Sequence, residues 1–166
     1  KSATQNWCIA QDERGVMYFG NALGVMEYDG VNWQLISVDN NSTVRSLAFS
    51  SDNILYVGAY GELGYLLPDE TGSEYYKSLK YLIDSTKQDF GEVWDIHVFS
   101  DTIFFLTDKY IFRFHNNKID SWESKEKNFY LSYKINNNYY VLEQEKGLQK
   151  FENNSFPIYI IIKAYT

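Results

Sequence analysis

Six residues of this sequence carry side chains that suit the binding of a sugar. They are Trp7, Asn21, Arg45, Tyr60, Glu62 and Trp94. Indole and phenol rings can stack on the apolar C–H faces of sugar rings, while guanidinium, carboxylate and amide groups supply directional hydrogen bonds. The residue types therefore favour an oligosaccharide ligand, provided that the fold brings the six side chains together.

A purely structural interpretation of these residues stays open at this point. Trp7 and Trp94 would then wedge between neighbouring repeat units. Arg45 and Glu62 would form an ordinary surface ion pair, a type of contact that contributes little free energy.

Catalytic and metal-binding patterns are absent from the sequence. The two histidines, His97 and His115, have no second histidine or cysteine at metal-ligand spacing. Glu92 and Asp95 are close in the chain, but a glycosidase pair is defined by separation across a cleft, which a sequence does not show. There is also no calcium loop and no phosphate-binding glycine loop. We therefore expect no catalytic residue, no metal and no cofactor.

The elements that must position the six residues are four copies of one repeat. The first copy contains GVMYFGNALGVMEYDGVNW at 15–33, in which two short apolar runs end at Gly20 and at Asp29-Gly30. A run closed by Asp-Gly is a strong signal for a strand that enters a tight hairpin. The same order of runs returns at 55–67, 102–114 and 139–151, each time with an upstream strand. A spacing of about 40 residues is typical of one four-stranded propeller blade.

The repeats predict an all-β fold of the β-propeller type, with about four four-stranded antiparallel blades in a partial or open propeller. The blades are expected at about 1–40, 41–86, 87–124 and 125–166. The segment 75–88 is compatible with a short helix or with a last strand plus a loop. An isolated piece of four blades would leave exposed strand edges. We therefore expect a truncated chain that is either an open arc or paired edge-to-edge with a second copy that buries these edges, and a closed four-bladed ring is the less favoured alternative.

Strand order predicts where a binding site would lie. In an up-and-down blade, the start of the first strand and the loop between the second and third strands lie on the same side of the propeller. The six candidate residues fall at these two places in the repeats. We therefore expect them to project from one rim near the axis.

Composition and charge narrow the function classes. The chain has 166 residues and a formal net charge of −7, with Lys and Arg scattered singly, which argues against a nucleic-acid surface. The single cysteine, Cys8, is expected to be a small buried hydrophobe. No apolar run approaches the ~18 residues of a membrane helix. No signal peptide begins at Lys1, so we expect that any export signal has been removed or lies outside this sequence. Any membrane contact is expected to belong to a longer parent chain.

The first repeat resembles the two-component regulator propeller repeat. NWCIAQDERGVMYFGNALGVMEYDGVNWQLI at 6–36 follows its pattern of an apolar strand, Asp-x-x-Gly, an aromatic strand ending near Gly, and then Gly-Leu-x-x-Tyr-Asp. It looks especially like the first blades of Bacteroidetes regulatory proteins that carry these propellers ahead of a triple-tyrosine module. The match is good over 6–67, fair over 139–156 and weaker over 90–122, where Thr107 replaces the glycine found at Gly58.

The resemblance implies the extracytoplasmic, periplasmic sensor region of a membrane-spanning regulator whose output is a histidine kinase or a helix-turn-helix domain. Three functions compete on this basis. The first is a module that senses a glycan or a glycan-derived signal. The second is a scaffold for protein interaction or dimerisation without a small ligand. The third, a polysaccharide-degrading enzyme built on a propeller, is disfavoured, so we expect the chain itself not to be an enzyme.

Overall fold

The structure, a computed structural model that describes residues 4–125 and 128–160, consists of four antiparallel sheets. Each sheet has four strands that pair in chain order. The strands are β1 (Asn6–Gln11), β2 (Met17–Asn21), β3 (Gly24–Tyr28), β4 (Trp33–Ile36), β5 (Val44–Phe49), β6 (Leu55–Ala59), β7 (Glu62–Pro68), β8 (Glu74–Ser78), β9 (Val93–Phe99), β10 (Thr102–Thr107), β11 (Tyr110–His115), β12 (Lys118–Glu123), β13 (Phe129–Ile135), β14 (Asn138–Glu143), β15 (Gly147–Lys150) and β16 (Ile158–Ile160). The all-β, propeller-type prediction is confirmed.

Short polar turns set the register of the hairpins. Asn136 and Asn137 join β13 to β14 with φ of 47° and 59°, the left-handed geometry that a type I′ hairpin turn requires. In the first sheet, the Asp12 carboxylate accepts hydrogen bonds from the backbone N–H groups of Arg14 and Val16, both at 2.9 Å. Asparagine and aspartate therefore fix the geometry of these two turns.

Two predicted segments are resolved by the structure. The sequence of residues 59–63 predicts a longer loop between two strands, but the structure has a tight turn there, because β6 extends to Ala59 and β7 begins at Glu62. The segment 75–88 follows the strand alternative: β8 is succeeded by two short 3-10 helices, Lys80–Leu82 and Ser85–Lys87. No helix within residues 4–125 and 128–160 is long and apolar enough to cross a membrane. The apolar run at 158–162 has the length of a strand. Its first three residues form β16, and its last two lie outside the described residues.

The four sheets pack face to face in sequence. The first strands β1, β5, β9 and β13 lie next to one another, so each sheet contributes its first strand to a common centre. Three apolar cores fill the spaces between successive sheets. They include Tyr18, Val25 and Val57 between the first and second sheets, Tyr56, Leu63 and Phe105 between the second and third, and Phe104, Ile111 and Val141 between the third and fourth. The sheets form an open arc and do not close into a ring.

Gly58 lies where the second and third sheets pack closely against each other. A Cβ at this position would meet Ser46 Oγ and lie 2.8 Å from Val93 Cβ, which belongs to the third sheet. Ser46 Oγ donates a hydrogen bond of 2.8 Å to the Val93 carbonyl at the same place. The first strands of these two sheets can approach one another because Gly58 has no side chain.

The Gly58→Ala substitution tests this packing. We expect it to lower the free energy of unfolding by about 3 kcal/mol, because the added methyl overpacks the contact with the branched Val93 side chain. Gly72→Ala is the matched control, since Gly72 has φ +86° and nothing within 4 Å of its Cβ position. Its cost should be about 1 kcal/mol from backbone strain alone. Equal losses for the two variants in urea unfolding would contradict the close-packing account.

Candidate functional site

Each first strand contains a β-bulge at the same repeat position. In the first sheet the pairing runs from Asn6↔Asn21 to Cys8↔Gly20 and skips Trp7. The other sheets skip one residue at the equivalent place. The four bulge residues are Trp7, Arg45, Trp94 and Tyr130. A bulge leaves its residue out of the ladder and redirects the side chain, so four side chains leave the central strands at one level of the arc.

Three of the bulge residues form one cluster. The Arg45 guanidinium carbon lies 3.7 Å from the centroid of the Trp7 ring and 5.5 Å from that of Trp94. Such contacts are attractive because the ring faces carry partial negative charge. Arg45 Nη2 also donates a 2.9 Å hydrogen bond to Glu92 Oε1. The cluster therefore holds a cation between two indoles and against one carboxylate.

The aromatic bulge residues remain open to solvent. Trp7 is 47% exposed, Trp94 46% and Tyr130 71%. The Trp94 indole N–H donates a 3.0 Å hydrogen bond to Asp108 Oδ1, which fixes the orientation of the ring. About half of each tryptophan side chain is therefore open to solvent, and the rest packs against Arg45 of the neighbouring sheet.

Tyr60 lies beside this cluster through its backbone. It forms an isolated antiparallel bridge with Glu92, the residue that pairs with Arg45. Its carbonyl accepts hydrogen bonds of 2.8 Å from Asn40 Nδ2 and from Ser42 Oγ. The Tyr60 side chain is 54% exposed. The structure therefore brings Tyr60 to the same side of the arc as Arg45.

Glu62 has a different environment from the one expected. It is buried, and its Oε2 accepts hydrogen bonds from Tyr76 Oη at 3.1 Å and Ser78 Oγ at 2.8 Å. Lys80 Nζ lies 4.0 Å from Glu62 Oε1. Burial and the nearby Glu62 charge raise the pKa of the Tyr76 phenol, which keeps it a hydrogen-bond donor. The predicted Arg45–Glu62 ion pair is wrong because the tight turn at Tyr60-Gly61 directs Glu62 into its own sheet.

Asn21 is also part of the structural frame. Its side chain is buried, and its Nδ2 donates to the Gln5 carbonyl at 3.1 Å and to Asn6 Oδ1 at 2.7 Å. Its Oδ1 accepts a hydrogen bond from the Leu23 backbone N–H at 3.2 Å. Asn21 thus braces the turn opposite the Trp7 bulge and does not project from the rim.

Sequence reasoning missed Tyr130, Glu92 and Asp108. Tyr130 occupies the repeat position of Trp7, Arg45 and Trp94, so an alignment of the four first strands is the signal that identifies it. Glu92 lies directly before β9, the first strand of the third sheet, and Asp108 lies directly after β10, its second strand. The contact of Glu92 with Arg45 depends on the packing of the second sheet against the third, whereas Asp108 contacts Trp94 within the third sheet.

The histidine environments do not have the geometry of a nucleophilic triad. His97 Nε2 lies 3.0 Å from Ser132 Oγ and 2.9 Å from Asp95 Oδ2. A Ser–His–Asp triad needs the hydroxyl and the carboxylate on opposite ring nitrogens, whereas here both meet the same nitrogen. These contacts instead link the third and fourth sheets. Within residues 4–125 and 128–160, no group of three His, Cys, Asp or Glu side chains could hold a metal ion.

Comparison with known proteins identifies the fold. No protein-family model and no curated protein matches the chain. Among solved structures, the extracellular domain of the one-component system BT4673 from B. thetaiotaomicron matches with a TM-score of 0.68 and 19% identity, over 97% of this chain and 22% of that domain. Virginiamycin B lyase from Staphylococcus aureus matches with a TM-score of 0.70 and 15% identity, over 94% of this chain and 56% of the lyase.

The WD40 β-propeller domain of Doa1 matches with a TM-score of 0.62 and 12% identity, over 94% of this chain and 57% of that one. At these identities the likeness establishes the propeller fold and no more. The chain spans about half the length of the lyase and of the WD40 protein, and less than a quarter of the BT4673 domain.

Glu143 supports the fourth bulge in the way that Asn21 supports the first. It pairs with Phe129, directly before the Tyr130 bulge, and is buried. Its carboxylate accepts hydrogen bonds from Ser124 Oγ, Lys146 Nζ and Gln149 Nε2 at 2.6, 2.9 and 2.7 Å. Burial alone would raise the pKa of Glu143, but these three hydrogen bonds and the Lys146 charge bring it below the ordinary value of 4.5.

Because the folded-state pKa of Glu143 is depressed, its stabilising contribution should be complete above the ordinary value of 4.5 and lost as the pH falls through the lower folded-state pKa. We expect Glu143→Gln to lower the free energy of unfolding by about 2 kcal/mol at pH 7, and by clearly less at pH 3. Glu70→Gln, at an exposed turn, is the control and should have little effect at either pH. A Glu143→Gln loss that is the same at pH 7 and pH 3 would refute the assignment.

Proposed function

We propose that this chain is a ligand-binding segment of an extracytoplasmic sensor, and that it recognises an oligosaccharide at the opening lined by the bulge residues. The observation that carries the proposal is the placement of exposed aromatic rings and a fixed guanidinium at one repeat position of successive sheets. When side chains at one repeat position of the central strands all face solvent, they form a shared surface on which a propeller can bind a ligand.

The chemistry of the cluster suits a polar ligand with apolar ring faces. Trp7 and Trp94 supply exposed indole surface on which the C–H face of a sugar ring can stack. Arg45 is held by Glu92 and by the two rings, so little conformational entropy is lost when it donates to a hydroxyl. Glu92 and Asp108 add carboxylate oxygens near the rings, which can accept hydrogen bonds from sugar hydroxyl groups.

The likeness to the extracellular domain of BT4673 supports a sensing role and an extracytoplasmic location. A second structure of that domain, described as belonging to a hybrid two-component system, matches with a TM-score of 0.64 and 20% identity. In this proposal, the kinase or DNA-binding output and any membrane contact belong to a parent chain, and binding of nucleic acid is not part of the function.

A protein-interaction scaffold is the second candidate function. It is favoured by large apolar side chains on the two end sheets that face solvent, among them Ile9 at 60% and Tyr133 at 44% exposure. We further propose that the chain is not itself an enzyme, although the lyase shows that an enzyme can have this fold. The shared contact of Ser132 and Asp95 with one nitrogen of His97 supports this view, and a turnover assay on polysaccharides tests it.

Calorimetric titration with oligosaccharides from plant, host and microbial polysaccharides tests the sensor proposal. One glycan class should bind, and Trp94→Ala should weaken that binding about tenfold or more, since loss of a stacking ring costs at least about 1.4 kcal/mol. Tyr81→Ala is the control because Tyr81 is an aromatic residue with an exposed side chain, at 69%, in the 3-10 helix Lys80–Leu82, outside the bulge cluster. Binding that is equally weakened by both substitutions, or unaffected by either, would place the ligand elsewhere.

A further inference from the structure

Two carboxylates lie beside the Arg45 cation in the bulge cluster. The guanidinium of Arg45 lies between the rings of Trp7 and Trp94. Glu92 accepts a hydrogen bond from that guanidinium, and Asp108 accepts one from the indole N–H of Trp94. These five side chains together therefore carry more negative than positive charge.

Arg45 and Trp94 belong to the two inner sheets of the arc. The second sheet packs on the first and the third, and the third sheet packs on the second and the fourth. Trp94 is 46% exposed although its sheet has a neighbour on each side. This repeat position therefore faces solvent inside the arc, and a ligand can reach the indole and the Asp108 carboxylate bonded to it.

The charge of Arg45 is compensated by Glu92. Their side chains are only 18% and 17% exposed, and Arg45 Nη2 donates a 2.9 Å hydrogen bond to Glu92 Oε1. The second oxygen, Glu92 Oε2, is buried and has no hydrogen-bond partner among the described residues. An acidic ligand that drew Arg45 away would leave the Glu92 charge largely buried without its cation, which is strongly unfavourable.

The guanidinium of Arg45 is also poorly placed to hold a ligand carboxylate at two points. Such binding uses two parallel N–H groups on one edge of the guanidinium. Arg45 Nε is buried and Nη2 is bound to Glu92, so the edge that these two nitrogens form is not open to a ligand. The remaining N–H groups suit single hydrogen bonds to hydroxyl oxygens.

Asp108 places a negative charge beside the ring on which a sugar would stack. Its Oδ1 lies 3.0 Å from Trp94 Nε1 in an exposed hydrogen bond. The neighbouring cation, Lys109, is bound to Glu123 Oε1 at 3.0 Å. An acidic group of a sugar stacked on Trp94 would meet a like charge, whereas a sugar hydroxyl can donate a hydrogen bond to the carboxylate.

We propose that the bulge cluster selects uncharged oligosaccharides against acidic ones, and that Glu92 and Asp108 determine this selectivity. The inference rests on the proposed function and names the class of its ligand. A hydroxyl group can both accept a hydrogen bond from Arg45 and donate one to a carboxylate, whereas an ionised carboxylate or sulfate group can only accept. The uncharged sugar therefore satisfies both kinds of group in the cluster and leaves the Arg45–Glu92 pair intact.

Calorimetric titration of the 166-residue protein with pairs of probes that differ in charge tests the proposal. The pairs are xylo-oligosaccharides with and without glucuronate, oligogalacturonides and their methyl esters, and N-acetyllactosamine with and without sialic acid. Within the pair that binds, the uncharged member should bind at least about tenfold more tightly. Glu92→Gln and Asp108→Asn each remove one charge and keep an oxygen acceptor. Each should lower the ratio of neutral to acidic affinity by about tenfold.

Glu70→Gln is the matched control, because it removes the same charge at an exposed position in the turn between β7 and β8, away from the bulges. This variant should keep the wild-type ratio, and circular dichroism should show that all three variants are folded. An acidic probe that binds the wild-type protein as tightly as its uncharged partner would overturn the selectivity and leave the sensor proposal standing. A ratio that neither Glu92→Gln nor Asp108→Asn changes would overturn the assignment to these residues. Failure of every probe to bind would contradict the sensor proposal itself, and the inference with it.

Discussion

The packing of each sheet face on the next sheet is the interaction on which the rest of the structure depends. A four-stranded sheet with two apolar faces cannot bury its side chains alone, so a repeat of this type gains stability from its neighbours. Three apolar cores between the sheets bury these side chains, and Gly58 allows the second and third sheets to pack closely. The two end sheets accordingly carry exposed large apolar side chains such as Ile9 and Tyr133.

Face-to-face packing also creates the candidate site. It places the first strands side by side, so a bulge at one repeat position becomes a group of neighbouring side chains contributed by different sheets. Arg45 then contacts Trp7 of the preceding sheet and Trp94 of the following one, although the three residues are far apart in the chain. Buried polar residues such as Asn21 and Glu143 hold the backbone opposite the bulges. The site is therefore a product of the repeat and of its packing together.

Most of the fold was predictable from the sequence, because turns and strands are encoded locally. Asp29-Gly30, the Asp-x-x-Gly pattern that begins at Asp12 and the repeated order of apolar runs indicated the hairpins directly. The site was predicted only in part. Trp7, Arg45 and Trp94 were grouped correctly by repeat position, but Glu62 was misplaced because a two-residue turn replaces the expected loop. Glu92 became the partner of Arg45 through contacts between sheets, which no local pattern reveals.

The most direct test of the central claim is the response of the four tryptophan indole N–H signals to a binding oligosaccharide in a ¹H–¹⁵N correlation spectrum. Trp7 and Trp94 lie in the bulge cluster, whereas Trp33 lies on the first sheet near Tyr28 and Trp122 packs against Phe151. The account predicts that the Trp7 and Trp94 signals shift while those of Trp33 and Trp122 stay in place. Shifts confined to Trp33 or Trp122, or no shift with any glycan tested, would contradict it.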